Sequence, residues 1–163
     1  MSTPAYSRLA VLVAPLVLAA CDHHRVPRGG ETITYAALAC HGTCPVYTVT
    51  LGPDGQGIFE GQAHVAVTGA RRFRASPEQV RSFTAALTKL RPDGERLVQP
   101  GRRDCGPAAT DLPGADVQWQ GAGGVAHLRV DFGCRGKKAR RLAAALRGLP
   151  ASLLPLQPFL GSD

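Results

Sequence analysis

Val46-Tyr47-Thr48-Val49-Thr50-Leu51, then Gly52-Pro53-Asp54-Gly55, then the run from Gly57 to Val67, is the stretch that decides the fold. Apolar and polar residues alternate with a period of two in the first part, the mark of a half-buried strand. Pro53 suits the second position of a turn, and Gly55 can take the positive φ that a turn needs. Ile58, Phe59, Val65 and Val67 then restore a strand pattern, so the whole stretch reads as a β-hairpin.

Working outward, Thr32 to Ala39 is β-branched and aromatic enough for a preceding strand, and Ala70 to Ala75 for a short following one. Ser76 to Leu90 predicts a helix. Ser76 can cap it, Pro77 suits its first position, Gln79 completes a capping box, and Val80, Phe83, Leu87 and Leu90 share one face. Glu95 to Pro113 is rich in Gly and Pro and reads as loop. Ala115 to Gln120 and Val125 to Phe132 flank Gly121-Ala122-Gly123-Gly124 as a second hairpin. Lys137 to Leu149 predicts a second helix, stopped by Pro150, with Leu142, Leu146 and Leu149 inward and Lys138, Arg141 and Arg147 outward. Hairpin strands followed by a helix, twice, give an α+β domain: an antiparallel sheet built from hairpins with two helices packed on one face. That domain spans residues 32–149. The apolar tail at 150–163 is broken by Pro155 and Pro158 and is expected to lie extended across a surface groove.

The N-terminus carries a different signal. Arg8 precedes an uncharged run from Leu9 to Leu18, and Leu18-Ala19-Ala20-Cys21 follows at once. A charged start, a short apolar run and small residues before a cleavage point describe an export signal over residues 1–20, too short for a permanent membrane span. Leu-Ala-Ala-Cys resembles the lipobox of bacterial lipoproteins, which implies cleavage before Cys21 and acylation of that residue. Several acyl chains give stable anchoring where one is marginal. The expected location is the cell envelope, lipid-anchored and periplasm-facing. Asp22 resembles a signal for retention in the inner membrane. Residues 21–31 (Cys-Asp-His-His-Arg-Val-Pro-Arg-Gly-Gly-Glu) then read as a flexible tether.

Of 163 residues, Lys and Arg number 19 against 12 acids, a net charge of +7. A basic excess suits nucleic acid, anionic lipid or an acidic partner. Export disfavours nucleic acid, and aromatics at 6% leave no basic–aromatic stripe to stack on bases. A basic domain held beside anionic lipid is the simpler picture.

Cys40, Cys44, Cys105 and Cys134 remain after Cys21, an even number in an oxidising compartment, which reads as disulfides. Three connectivities are open. Cys40-His41-Gly42-Thr43-Cys44 has thiol spacing acceptable to zinc, but a closed zinc site needs four ligands and no second tight pair exists. Gly42 permits the sharp turn that a Cys40–Cys44 bridge needs, and the second hairpin would bring Cys105 near Cys134. Thr110-Asp111-Leu112-Pro113 offers a carboxylate for catalysis, against the commoner reading of a turn that opens a strand. His127 sits mid-strand with no evident partner and reads as ordinary surface; His23 and His24 read as solvated. Arg71, Arg72 and Arg74, with Arg135, Lys137, Lys138, Arg140 and Arg141, make either a basic patch or a solvated face. No cofactor motif is present.

Cys40-x-Gly42-x-Cys44-Pro45-x-Tyr47, with Asp54-Gly55, Gly61, Gly69, the Ser76 helix and Thr110-Asp111-x-Pro113, resembles a family of bacterial domains of unknown function whose members are often lipoproteins. The likeness runs from about Ile33 to Leu149. It implies that Cys40–Cys44 and Cys105–Cys134 pair within each couple. The likeness transfers no activity; Tyr47, Thr110 and Asp111 stand as candidate binding residues. The expected function is a non-catalytic envelope module that binds or supports a protein, lipid or cell-wall partner. The alternative is a periplasmic enzyme using Asp111, His127 or a cysteine.

Overall fold

The computed structural model describes residues 30–161, together with Met1. The export signal, Cys21, Asp22 and the tether histidines lie outside the described residues.

The hairpin forms as its alternation predicts. Val46–Leu51 (β2) pairs antiparallel with Gln56–Ala63 (β3), and the flanking strands Thr32–Leu38 (β1) and Gly69–Arg74 (β4) extend it into a four-stranded meander. Asp54 shapes the turn. Its Oδ1 accepts from the Gln56 N–H at 3.0 Å, and Oδ2 accepts from the Gln56 side chain at 2.8 Å. After the helix Pro77–Thr88 (α1), Glu95–Val98 forms a strand (β5), and Gly114–Gly121 (β6) pairs antiparallel with Gly124–Asp131 (β7). The sheet has seven strands in the order β4-β3-β2-β1-β6-β7-β5. β1 is therefore central, paired with β2 on one side and β6 on the other.

The fold is α+β and mostly antiparallel, with two departures from the sequence reading. The first is β5, in a stretch that reads as loop; it pairs parallel with β7, which makes the sheet mixed. The strand is only four residues, Glu-Arg-Leu-Val between Gly94 and Pro100, with no polar–apolar alternation to read. The second is the C-terminal part. Lys137–Leu146 (α2) ends at Gly148, whose φ of 69° is the left-handed stop that favours glycine. Pro150 does not end this helix. It lies at the start of a third helix, Leu149–Leu153 (α3), and Pro158 likewise opens a fourth, Gln157–Leu160 (α4). The tail is thus two short helices rather than an extended strap, and it buries Leu154 and Leu156 in the core.

The inward row crosses the sheet as Phe59, Val49, Tyr35, Val117 and Leu128, each opposite the next. In the next row bulk meets space. Trp119 lies opposite Ala126, and the Phe73 ring covers Gly57 so closely that a Cβ there would collide with it. Phe83, Leu87, Leu142 and Leu146 of the helices join the same buried cluster. The outward residues of the same strands are polar: Thr50, Thr34, Gln118, His127 and Glu95 form one transverse row. Among the described residues no helix is long and apolar enough to cross a membrane.

Candidate binding cleft

The loop between β1 and β2 is built by its own composition. Gly42 has φ 143°, which lets the chain double back, and Cys40 and Cys44 come to disulfide distance with their Cα atoms 5.8 Å apart. A ring this small stabilises by roughly 2 kcal/mol on chain entropy. Cys105 and Cys134 are likewise at disulfide distance, Cα atoms 4.6 Å apart across a separation of 29 residues, and that loop is worth roughly 3–4 kcal/mol. With these four sulfurs paired, the zinc alternative loses its thiol ligands. Among the described residues no group of three His, Cys, Asp or Glu side chains is placed to hold a metal.

Thr110 and Asp111 brace this loop from outside. The His41 N–H donates to the Asp111 carbonyl at 3.1 Å, and the Thr110 hydroxyl donates to Asp111 Oδ2 at 2.9 Å. Asp111 adopts φ 67°, a conformation that Asp tolerates better than most residues. Both side chains are exposed. Their neighbours in sequence, Leu112 and Pro113, face the hollows described next.

Pro45 and the register shift between Val46 and Tyr47 turn the start of β2. Tyr47 is buried and stacks on Phe59 with centroids 5.5 Å apart, and Phe59 stacks on Phe159 of α4 at 5.2 Å. The tail is held there also by backbone bonds, Ala66 N–H to the Leu160 carbonyl at 3.2 Å and Val67 N–H to that of Phe159 at 3.0 Å. These contacts enclose a cleft of ≈ 270 Å³. Its sheet wall is Tyr35, Leu38 and Tyr47, its loop wall Cys44 and Pro45, and its far side Phe132, Ala151 and Leu160. Arg147 is the one charged side chain among the described lining residues.

The phenols in this cleft are not reactive groups. The Tyr35 hydroxyl donates to the Leu146 carbonyl at 2.9 Å. Burial, with the nearby Tyr47, pushes its pKa well above the ordinary value. Burial pushes Tyr47 up to about 12. Both stay neutral across the physiological range. Beside the cleft runs a shallower groove that shares Phe132 and Arg147 and adds Leu112, Arg135, Arg140, Ala143 and Ala144. The Arg147 guanidinium lies over the Phe132 ring, 5.2 Å from its centroid.

His127 lies elsewhere, on the outward side of β7, and it is not the unpartnered surface histidine that the sequence suggests. Its Nδ1 is 3.1 Å from Glu95 Oε1, and its Nε2 is 3.0 Å from both Asp116 oxygens. Partial burial pulls its pKa down, but the hydrogen bonds and charges of Asp116 and Glu95 outweigh this and set it above the usual value. Its partners are Glu95 and Asp116, and Asp111 is not among them.

Of the residues singled out from the sequence, Cys44 and Tyr47 line the cleft, while Thr110 and Asp111 do not. Sequence reasoning missed Phe132 and Arg147, which are brought in by the end of β7 and the break after α2. The larger hollow at the β2–β3 turn, lined by Pro53, Asp54, Arg74, Ser76 and Gln79, is a weaker candidate. Its polar groups already serve the turn and the α1 cap.

No match is found among curated proteins or among solved structures. A family model described as a domain of unknown function, DUF6438, matches residues 31–150, which include the sheet and loop walls, Phe132 and Arg147 of the cleft but not Ala151 or Leu160. The chain belongs to the DUF6438 family.

Proposed function

We propose that the protein is a bacterial lipoprotein, anchored through a lipid on Cys21 and facing the periplasm, whose domain works by binding a partner in the cleft. In this reading residues 1–20 are removed on export and residues 21–31 tether the domain. α1 and α2 cover one face of the sheet and leave the polar face open. Asp22 points to the inner membrane.

The observation that carries the proposal is the cleft. It is apolar, it is lined by the cysteine motif, and its titratable groups are two neutral phenols and one arginine. Binding sites are mostly apolar hollows with a few placed polar groups, and this cleft has that composition at small scale. Catalysis asks for an acid, base or nucleophile converging on one space. The enzyme alternative gains little from His127, because both of its nitrogens are engaged by carboxylates.

Photo-crosslinking in living cells tests the reading. A benzophenone side chain at Leu38 or Ala151, inside the cleft, should give an adduct of discrete mass. One at Gln118, on the outward face, should not. Adducts from Gln118 alone, or from none of the three, contradict the proposal.

A further inference from the structure

The cleft and the neighbouring groove meet at Phe132 and Arg147, and their chemistries differ. One is walled by hydrocarbon and aromatic carbon. The other is edged by Arg135, Arg140 and Arg147. Arg147 is exposed, stacked on Phe132, and free of helical structure because α2 has just ended. Among the described residues no carboxylate lies within ion-pair distance of any of the three arginines. The ion pairs among these residues involve Arg91, Arg96, Arg129 and His127 instead.

Among the described residues no ion pair neutralises the lysines beside them either. α2 begins Lys137-Lys138 with no acid in its first turn, although the positive end of the helix dipole disfavours cations there. Asp104, which feels the charge of Lys138, is already taken by Arg96 through bonds of 3.1 and 2.6 Å. A helix start that carries lysines and a glycine cap without a side-chain bond is not arranged for its own stability.

We propose that the cleft takes the hydrocarbon chain of an anionic amphiphile, and that Arg147, with Arg140 and Arg135 beside it, holds the carboxylate or phosphate head group. The proposal rests on the binding reading above and names the ligand class. Guanidinium forks match both head groups through paired, charge-assisted hydrogen bonds. The neutral phenols of Tyr35 and Tyr47 raise no repulsion against an anion, and the apolar wall accounts for the chain. The modest volume suits a single chain rather than a bulky ligand.

The test is photolabelling of the full chain with a diazirine-bearing dodecanoic acid and, separately, with its methyl ester, followed by peptide mapping. The acid should label segments containing Leu38, Tyr47 and Leu160. Unlabelled dodecanoate and dodecyl phosphate should compete, which reads the carboxylate and phosphate sources separately. Dodecanol and inorganic phosphate at the same concentration should not. Arg147→Gln should lower labelling by the acid about tenfold, as expected for loss of a charged hydrogen-bonding partner, and Arg147→Lys should restore part of it. Arg140→Gln, at an exposed position, should give a smaller loss. Equal labelling by the ester, or an unchanged Arg147→Gln protein, overturns the anionic head group while leaving a binding cleft. Competition by inorganic phosphate overturns the need for the chain. Labelling spread over the outward sheet face, with none in the cleft, overturns both this proposal and the reading beneath it.

Discussion

His127 is held between acids from two neighbouring strands, Glu95 on β5 and Asp116 on β6, while Arg129 of its own strand reaches Asp116 at 3.4 Å. A protonated imidazole there ties the four-residue parallel edge strand to the antiparallel body of the sheet. Its folded pKa lies above the ordinary value of 6.5, so its stabilising contribution is complete below about pH 6.5 and fades as pH rises through the folded value. Chemical denaturation of the wild type and of His127→Gln across that range should show the largest difference in acid and convergence in alkali. A difference that grows with pH contradicts the assignment. Nothing around His127 in sequence marks its partners. Glu95 lies 32 residues away in a stretch that reads as loop, and Asp116, opposite Arg129 in the β6–β7 register, reaches His127 only diagonally. The cysteine pairs were easier to read, because their even count and the family likeness both bear on them.

At the scale of elements, the sequence was most informative where a local rule has few exceptions. The α1 capping box forms as Ser76 and Gln79 imply: the Gln79 N–H donates to Ser76 Oγ at 3.2 Å, and the Ser76 N–H donates to Gln79 Oε1 at 2.8 Å. Ser76→Ala should cost about 1 kcal/mol in denaturant unfolding. The end of α2 was misread because Pro150 is the more conspicuous breaker, while Gly148 has the left-handed conformation that stops the helix. Gly148→Ala should cost about 1–2 kcal/mol, since a Cβ disfavours that conformation. It should also disturb Arg147, the neighbour at the cleft mouth. If both variants unfold like the wild type, the local account of these helix ends is wrong. Short elements such as β5, α3 and α4 escape sequence reading because they contain too few residues for a period and owe their form to what they pack against.

At the scale of the molecule, the central position of β1 organises the functional surface. β1 runs from the Thr32 end, where the chain enters the domain, to Leu38 at the cleft. From there the cysteine loop turns back into β2. The C-terminal helices complete the same corner by resting Phe159 on Phe59. Sequence reading puts the motif on the loop between two strands but does not show the far wall, which comes from residues about a hundred positions later. The extended tail inferred from Pro155 and Pro158 is instead helical, and its Leu160 lines the cleft. The most direct measurement is the native mass of the protein released from its own membranes, beside that of Ala151→Trp, whose larger side chain fills the cleft. The account predicts a mature chain that begins at an acylated Cys21 and carries a non-covalent ligand, the ligand being lost in Ala151→Trp while the acyl mass remains. A wild-type protein with no bound ligand, or a ligand retained equally by Ala151→Trp, would contradict it.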